Sequence, residues 1–304
     1  MHSSKVVASV ALLAGSLVAS AQTPSSRVPT DSNVVFANVA NAALLMDVHR
    51  PSRPNGRGIV FIAGSGWGSS PGYSHGYDDV PLTDDAREVG GYIGTIVQGL
   101  LDAGFTVFSI NHRFTPETRF PGPFYDAQRA VRFIRSHAAS YGIDGVKLGA
   151  LGHSSGGHLA AMLGVADTSI ADPKGSASQR GSSHVQAVVT LAAPFVVTAL
   201  GGRAITLASN LVGPLPERRP DGSYPETPAV AAASPLDRVT ASAAPMLIYQ
   251  AEDDPIVLPT SAPLMAARLT AVGVANKLVM RTTGAHAPAY DVGEVVEWFR
   301  RYLK

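Results

Sequence analysis

Two adjacent serines stand in a glycine-rich stretch near the middle of the chain, LGHSSGGHL. The pattern G-x-S-x-G, which places a nucleophilic serine on a sharp turn between a strand and a helix, fits this stretch in one frame only. Ser154 is its central residue, because centring the pattern on Ser155 would require a glycine where His153 stands. The sequence therefore predicts Ser154 as a nucleophile; the alternative is a structural turn that contains serines by chance.

A nucleophilic serine needs a base, and the base needs a carboxylate to orient it. For a serine on such a turn, the order along the chain is Ser, acid, His. Of the three histidines that follow Ser154, His158 and His184 precede any candidate acid, whereas His286 lies in the late loop TTGAHAPAY. His286 is therefore the predicted base, with an unremarkable surface histidine as the alternative.

The acid is expected after the apolar run PMLIYQA, where EDDPIV offers Glu252, Asp253 and Asp254. An aspartate followed by Pro-Ile-Val is held in a rigid turn, which suits a residue that must fix the tautomer of an imidazole. We predict Asp254 as the acid and keep Asp253 as the second choice. A solvated acidic turn is the alternative, whereas a calcium site lacks further ligands at a recognisable spacing.

Backbone N–H groups are needed to bind the oxyanion of an acyl-transfer reaction. One is predicted from Ser155, directly after the nucleophile. The others are predicted from Ser65 and Gly66 in the loop AGSGWGSS, whose glycines permit close approach of the backbone to a substrate oxygen. The alternative is a flexible glycine loop with Trp67 packed in the core.

The elements that must position these residues alternate between two kinds. Short apolar or β-branched runs, typical of buried strands, occupy residues 58–64, 105–111, 146–152, 185–193, 245–251 and 277–281. Helical patterns lie at about 86–103, 124–140, 156–165, 260–272 and 291–303. The alternation predicts an α/β fold with a mostly parallel central sheet and helices on both faces. Two further β-like runs, 34–39 and 43–49, predict an antiparallel edge hairpin.

Two stretches interrupt the alternation. Residues 167–184 are polar and rich in Ser and Gly, which predicts a mobile surface loop. Residues 195–244 contain several prolines and no clear strand pattern, between two predicted strands. An insertion there would form a short cap over the strand ends, as a lid or a substrate wall; a plain surface excursion is the alternative.

The first 21 residues have the features of a secretory signal peptide. They carry one basic residue, Lys5, then a mainly apolar stretch, and end in Ala-Ser-Ala. The apolar stretch is shorter than the ~20 residues that span a bilayer, which disfavours a membrane anchor. Residues 22–304 are then predicted to form a single domain, and the predicted location is secreted or periplasmic.

Composition narrows the classes of function. The chain has 24 Lys and Arg against 23 Asp and Glu, and the two counts are equal once Lys5 is removed. Because no basic block occurs, nucleic-acid binding has no electrostatic support. The chain contains no cysteine, which excludes thiol catalysis and thiolate metal sites. We predict neither a cofactor nor a metal.

These motifs give the chain a resemblance to secreted α/β-hydrolases of the esterase/lipase superfamily, near the feruloyl- and acetylxylan-esterase-like and hormone-sensitive-lipase-like branches. GHSSGGHLA carries most of the resemblance, which extends from about Leu44 to the C-terminus. It is supported by LLMDVHRP, NHR, PGPFYDAQRAVRFIRSHAASYGID, SPLDRV and DDPIV. The resemblance implies the α/β-hydrolase fold and a triad of Ser154, Asp254 and His286. It also implies that Arg113 and Asp126 are mainly scaffold residues.

The loop before the first helix departs from the family pattern. The family usually has His-Gly-Gly-Gly-Trp where this chain has Ala63-Gly-Ser-Gly-Trp67. The family's histidine braces the oxyanion loop through hydrogen bonds, which Ala63 cannot do. Ser65 replaces a glycine at a proposed donor position, and QAEDDP replaces a more usual His-Gly before the acid.

The resemblance implies a serine carboxylic-ester hydrolase that forms an acyl-enzyme and needs no cofactor. Short-chain esters or carbohydrate-linked esters, such as those on plant polysaccharides, are the expected substrates. Two alternatives stay open. The altered loop favours a binding protein on a hydrolase fold, and the shared superfamily leaves room for a peptidase, although such peptidases usually carry a large N-terminal β-propeller that this chain has no room for.

Overall fold

An eight-stranded sheet runs through the described part of the computed structural model, which comprises residues 30–40, 42–68, 90–166 and 181–304. In chain order the strands are β1 (Asp31–Val39), β2 (Ala42–His49), β3 (Gly58–Ile62), β4 (Thr106–Ile110), β5 (Leu148–His153), β6 (Ala187–Leu191), β7 (Met246–Ala251) and β8 (Asn276–Arg281). They lie side by side in the order β1-β2-β4-β3-β5-β6-β7-β8. The predicted signal peptide and residues 167–180 of the predicted mobile loop lie outside the described residues.

The pairing of the strands confirms a mostly parallel sheet. β1 pairs with β2, and β2 with β4, in antiparallel fashion, so the predicted hairpin forms one edge. Every pair from β4 through β8 is parallel. Since parallel strands end at the same edge of a sheet, the segments that follow β3, β5, β7 and β8 meet along one edge.

Helices cover both faces of this sheet. They are α1 (Gly90–Asp102), α2 (Gly122–Ser136), α3 (Ser154–Val165), α4 (Ile205–Val212), α5 (Pro228–Ala233), α6 (Ser261–Ala271) and α7 (Val292–Tyr302). α1 and α7 pack on one face, and α2, α3 and α6 pack on the other.

The strands bury side chains in both directions, as their apolar runs predict. In β3, Ile59 and Phe61 join the core under α1 and α7, whereas Val60 and Ile62 join the core under α2 and α3. Successive strand residues point to opposite faces, so a strand covered on both sides needs an unbroken apolar run rather than an alternating one.

Residues 195–244 form an irregular insertion between β6 and β7. It contains the short helices α4 and α5, with 3₁₀ turns at 202–204 and 235–238, and a single isolated bridge from Leu200 to Val257. The absence of a clear strand pattern in this stretch of the sequence agrees with this structure. Among the described residues, no helix combines the length and apolarity needed to cross a membrane.

A buried ion-pair network joins the chain after β4 to helix α2. The carboxylate of Asp126 is fully buried and accepts hydrogen bonds of 2.7 to 3.0 Å from the backbone and guanidinium of Arg113 and from Arg129. Arg129 is itself buried. Two guanidinium groups and one backbone N–H therefore share this carboxylate, and their hydrogen bonds offset its loss of water.

We expect Asp126→Ala to lower the free energy of unfolding by about 3–5 kcal/mol, because it removes the buried carboxylate with which the Arg113 and Arg129 guanidinium groups pair. Urea denaturation at neutral pH measures the change. Glu297→Ala is the matched control, since Glu297 pairs with Arg300 on an exposed helix surface and its loss is expected to cost about 1 kcal/mol or less. Equal changes in the two variants would show that the buried network does not stabilise the fold.

Candidate active site

Ser154 lies on a strained turn at the edge of the sheet. It is the first residue of α3, directly after the last residue of β5, and its φ of +54° lies in the left-handed region. A non-glycine residue there costs about 1–3 kcal/mol, and such strain is common at functional sites. The turn also brings α3 very close to β3. A Cβ on Gly156 would lie 2.0 Å from the Ile62 carbonyl oxygen, so only glycine fits at this position.

The structure brings the predicted nucleophile, base and acid into one hydrogen-bonded chain. Ser154 Oγ lies 2.8 Å from Nε2 of His286, and Nδ1 of His286 lies 2.9 Å from Oδ2 of Asp254. The Asp254 side chain is fully buried, whereas the side chain of His286 is 19% exposed. With Nδ1–H donating to the carboxylate, Nε2 is left as an acceptor for the hydroxyl proton.

The turn after β7 orients the acid and separates the roles of the two aspartates. Oδ1 of Asp254 accepts the N–H groups of Ile256 and Val257 at 2.9 Å each, which agrees with the rigid turn predicted from Pro-Ile-Val. Oδ1 of Asp253 instead accepts the N–H of Ala285, at 2.7 Å. Asp254, the first choice for the acid, therefore contacts the imidazole of His286, whereas Asp253, the second choice, contacts the backbone beside His286.

The predicted oxyanion loop is attached to α3 at two points. The N–H of Ser65 donates to the Ser155 hydroxyl at 2.9 Å, and Nε1–H of Trp67 donates to Nδ1 of His158 at 2.9 Å. Ser155 and His158 are three residues apart, so they lie on the same face of the helix. The Trp67 side chain is buried, and its backbone has a φ of +61°.

The three predicted oxyanion donors differ in their surroundings. The Ser65 N–H is already engaged by the Ser155 hydroxyl. Ser155 is the second residue of α3, so its own N–H is among those that lack an intrahelical acceptor. Gly66 follows with a φ of +65°. The loop passes directly beside the nucleophile, because a Cβ on Gly64 would lie 2.9 Å from Cβ of Ser154.

Two histidines near the site are kept neutral by burial. His158 is fully buried, and since its Nδ1 accepts from Trp67, its Nε2–H donates to the Ala233 carbonyl at 2.7 Å. Burial lowers the pKa of His158 to about 4. Burial, together with the neighbouring charge of His286, also lowers the pKa of His153 to about 4. His158 thus connects the predicted oxyanion loop, through α3, to helix α5 of the insertion.

The sequence did not predict the hydrogen bonds that His153, Ser155 and Asp253 make to the segments around the predicted triad. The one signal available for these residues is adjacency, because each stands directly beside Ser154 or Asp254 in the chain.

Across the described ranges, no group of three or more His, Asp or Glu side chains is arranged to hold a metal ion.

Comparison with known proteins places the chain among esterase-related sequences. The profile of the BD-FAE family matches residues 46–269, well over half of the chain. Esterase LipQ of Mycobacterium tuberculosis is 30% identical over 206 residues, which cover 66% of this chain and 46% of LipQ. Esterase LipC of the same organism is 26% identical over 253 residues, which cover 80% of this chain and 56% of LipC. The chain thus spans about half the length of these curated relatives.

This chain is similar, over nearly the whole length of both chains, to a solved structure of a truncated form of a carbohydrate esterase from gut microbiota. The TM-score is 0.73 at 24% sequence identity, and the match covers 92% of this chain and 99% of that chain. The parallel sheet, the helices on its two faces and this similarity show an α/β-hydrolase fold.

The buried His158 makes the stability of the fold depend on pH. In the unfolded chain His158 binds a proton below its ordinary pKa of 6.5, whereas in the folded chain it binds one only below about pH 4. The free energy of unfolding therefore falls as the pH falls through this window. His158→Gln can keep both hydrogen bonds but cannot titrate. We expect urea unfolding of this variant to show a pH slope smaller by up to about 1.4 kcal/mol per pH unit.

The matched control for this prediction is His158→Leu, which also cannot titrate but leaves the buried indole N–H of Trp67 without its acceptor. It is expected to share the reduced slope and to lose about 1–3 kcal/mol at pH 7.5, where His158→Gln changes little. A wild-type slope in both variants would mean that another group accounts for the acid sensitivity.

Proposed function

The chain belongs to the BD-FAE family, and we propose that it is a serine carboxylic-ester hydrolase that forms an acyl-enzyme on Ser154. The observation that carries the proposal is the hydrogen-bonded chain from Ser154 through His286 to Asp254, on a strained turn at the sheet edge. The relatives LipQ and LipC, both named esterases, support the same reaction class.

In the proposed reaction, Nε2 of His286 takes the hydroxyl proton while Oγ of Ser154 bonds to the ester carbonyl carbon. The carbonyl π electrons move to its oxygen and form a tetrahedral oxyanion. When the oxyanion collapses, the bond to the alcohol oxygen breaks and His286 gives that oxygen the proton. Water then attacks the acyl-enzyme by the same path and releases the acid. Asp254 holds the ring through Nδ1–H and stabilises its charged form.

We assign the oxyanion to backbone N–H groups of the helix start and the glycine loop. The N–H of Ser155 is the first donor, because it lacks an intrahelical acceptor and lies at the positive end of α3. The Gly66 N–H is the second. The Ser65 N–H contributes only when it exchanges the Ser155 hydroxyl for the substrate oxygen.

Short-chain or carbohydrate-linked esters are the substrate class that we propose, with secretion or export to the periplasm. The structural relative from gut microbiota is named a carbohydrate esterase, which supports including acetylated polysaccharide among the substrates tested. The signal-like residues 1–21 support a location where such polymers occur.

One observation favours a second candidate, a hydrolase-fold protein that binds rather than turns over esters. The Ser65 N–H, one of the predicted oxyanion donors, is occupied by the Ser155 hydroxyl. A fluorophosphonate probe separates the two candidates. Labelling that disappears in Ser154→Ala supports an activated nucleophile, whereas a folded wild-type protein that takes no label supports the binding protein.

The activity is tested with p-nitrophenyl esters from acetate to palmitate, together with methyl ferulate and acetylated xylan. We expect turnover to peak at short acyl chains and to fall by at least about 10³-fold in Ser154→Ala, which removes the nucleophile. Ser155→Ala is the matched control, since it keeps the backbone N–H and loses one loop contact; it should stay within about tenfold of wild type. Hydrolysis that survives in Ser154→Ala would contradict the proposed mechanism.

A further inference from the structure

The backbone around His286 is held by two side chains outside the hydrogen-bonded chain described above. On the N-terminal side, the Ala285 N–H donates to Oδ1 of Asp253 at 2.7 Å. On the C-terminal side, the carbonyl oxygen of His286 itself lies 2.8 Å from Nε2 of His153. The two contacts flank the Cα of His286, so together they restrict both the position and the tilt of the residue.

The contact of His153 has a defined direction. A carbonyl oxygen only accepts hydrogen bonds, so Nε2 of His153 carries the proton and donates it. The low pKa of His153 keeps the ring neutral near pH 7, which leaves Nδ1 without a proton. The side of the ring that carries Nδ1 faces the oxyanion loop, because a Cβ on Gly64 would lie 2.7 Å from it. His153 therefore lies between the predicted oxyanion loop and the loop that carries His286, residues 282–291, which we call the histidine loop.

The histidine loop needs such support because its own backbone conformation is unfavourable. Ala285 has a φ of +47°, a left-handed value that costs a non-glycine residue energy, and Gly284 has a φ of +141°. Within the loop, the Ala287 N–H donates to the Gly284 carbonyl at 2.9 Å and closes a tight turn. Because Asp253 is the immediate neighbour of Asp254, one turn after β7 holds both the ring of His286 and the backbone beside it.

We propose that His153 and Asp253 are positioning residues, which fix the backbone of His286 so that its Nε2 faces Oγ of Ser154. The proposal rests on the proposed function, because it takes His286 to be the base. The hydrogen bonds given above join both side chains to backbone groups, and the His153 ring also packs against the His286 ring, with centroids 4.8 Å apart. Loss of either side chain should therefore lower kcat through misplacement of the base and leave KM nearly unchanged. Misplacement by 1 Å can cost about 10²-fold in rate.

The test uses paired variants of the full-length chain. His153→Leu removes the donor, whereas His153→Gln can still donate to the His286 carbonyl. Asp253→Ala removes the acceptor, whereas Asp253→Asn keeps an oxygen for the Ala285 N–H. Glu252→Ala is the matched control, because it removes a negative charge from the same exposed turn and leaves the Asp253 contact in place.

We expect His153→Leu and Asp253→Ala each to lower kcat on p-nitrophenyl acetate about tenfold, with KM within about twofold, since each removes one of two supports. His153→Gln, Asp253→Asn and Glu252→Ala should stay within about threefold of wild type. Circular dichroism checks that each variant is folded. Asp253 is exposed, so Asp253→Ala remains informative even if His153→Leu does not fold.

Two further measurements do not depend on turnover. The low-field NMR signal of the His286 Nδ1 proton should broaden in His153→Leu and persist in His153→Gln. Hydrogen exchange at the Ala285 amide should be faster in Asp253→Ala than in Asp253→Asn, because the amide has lost its acceptor.

Different failures lead to different conclusions. If both disruptive variants keep wild-type kcat while Ser154→Ala is inactive, the positioning roles are wrong and ester hydrolysis stands. If the wild type hydrolyses no ester, the proposed function fails and the NMR signal and amide exchange decide the positioning roles. An unchanged signal and unchanged exchange in the disruptive variants would then overturn them.

Discussion

The left-handed backbone of Ser154 can persist only because the chain on both sides of it is packed without room to relax. Ser154 directly follows β5, which is buried from Leu148 to Gly152, and Gly156 lets α3 pack against the Ile62 carbonyl at the end of β3. This close approach places three things within a few ångströms: the serine hydroxyl, the start of a helix with unpaired N–H groups, and the loop that follows β3. The other features of the site depend on this turn.

Two carboxylates and two neutral imidazoles hold the segments around this turn through hydrogen bonds. The turn after β7 supplies two adjacent carboxylates, of which Asp254 holds the ring of His286 and Asp253 holds the backbone beside it. Two imidazoles that burial keeps neutral, His153 and His158, donate to carbonyls of neighbouring segments. A neutral histidine can carry a hydrogen bond without adding a second positive charge near the base, whose ring becomes charged during the proposed reaction.

Much of the fold was predictable because the strands of a sheet covered on both faces have a recognisable sequence pattern. Its strands are unbroken apolar runs, and the predicted and observed strands agree to within a few residues. Two helices begin two residues before their predicted starts: α3 begins at Ser154 and α2 at Gly122. The prediction missed these starts because serine, glycine and proline favour turns by their own preferences, even where they begin a helix.

Contacts between distant segments were not predictable in the same way. Ser65 and Ser155 are 90 residues apart, and His153 and His286 are 133 residues apart. Such pairs depend on how side chains meet after the strands are ordered, and no periodicity in the chain indicates them. The choice between the two aspartates had a local cause, because the chain bends at Pro255 and Ile256 and the Ile256 and Val257 N–H groups donate to Asp254.

The most direct test of the central claim is to trap the acyl-enzyme. The protein is mixed with p-nitrophenyl acetate, quenched in acid during turnover, and digested with trypsin, which releases residues 148–174 as one peptide with both serines of the turn. Fragmentation in the mass spectrometer then locates the acetyl group. Acetylation of Ser154 is the predicted result. Acetyl transfer to Ser155, or steady turnover with no modified serine in this peptide, would contradict Ser154 as the nucleophile.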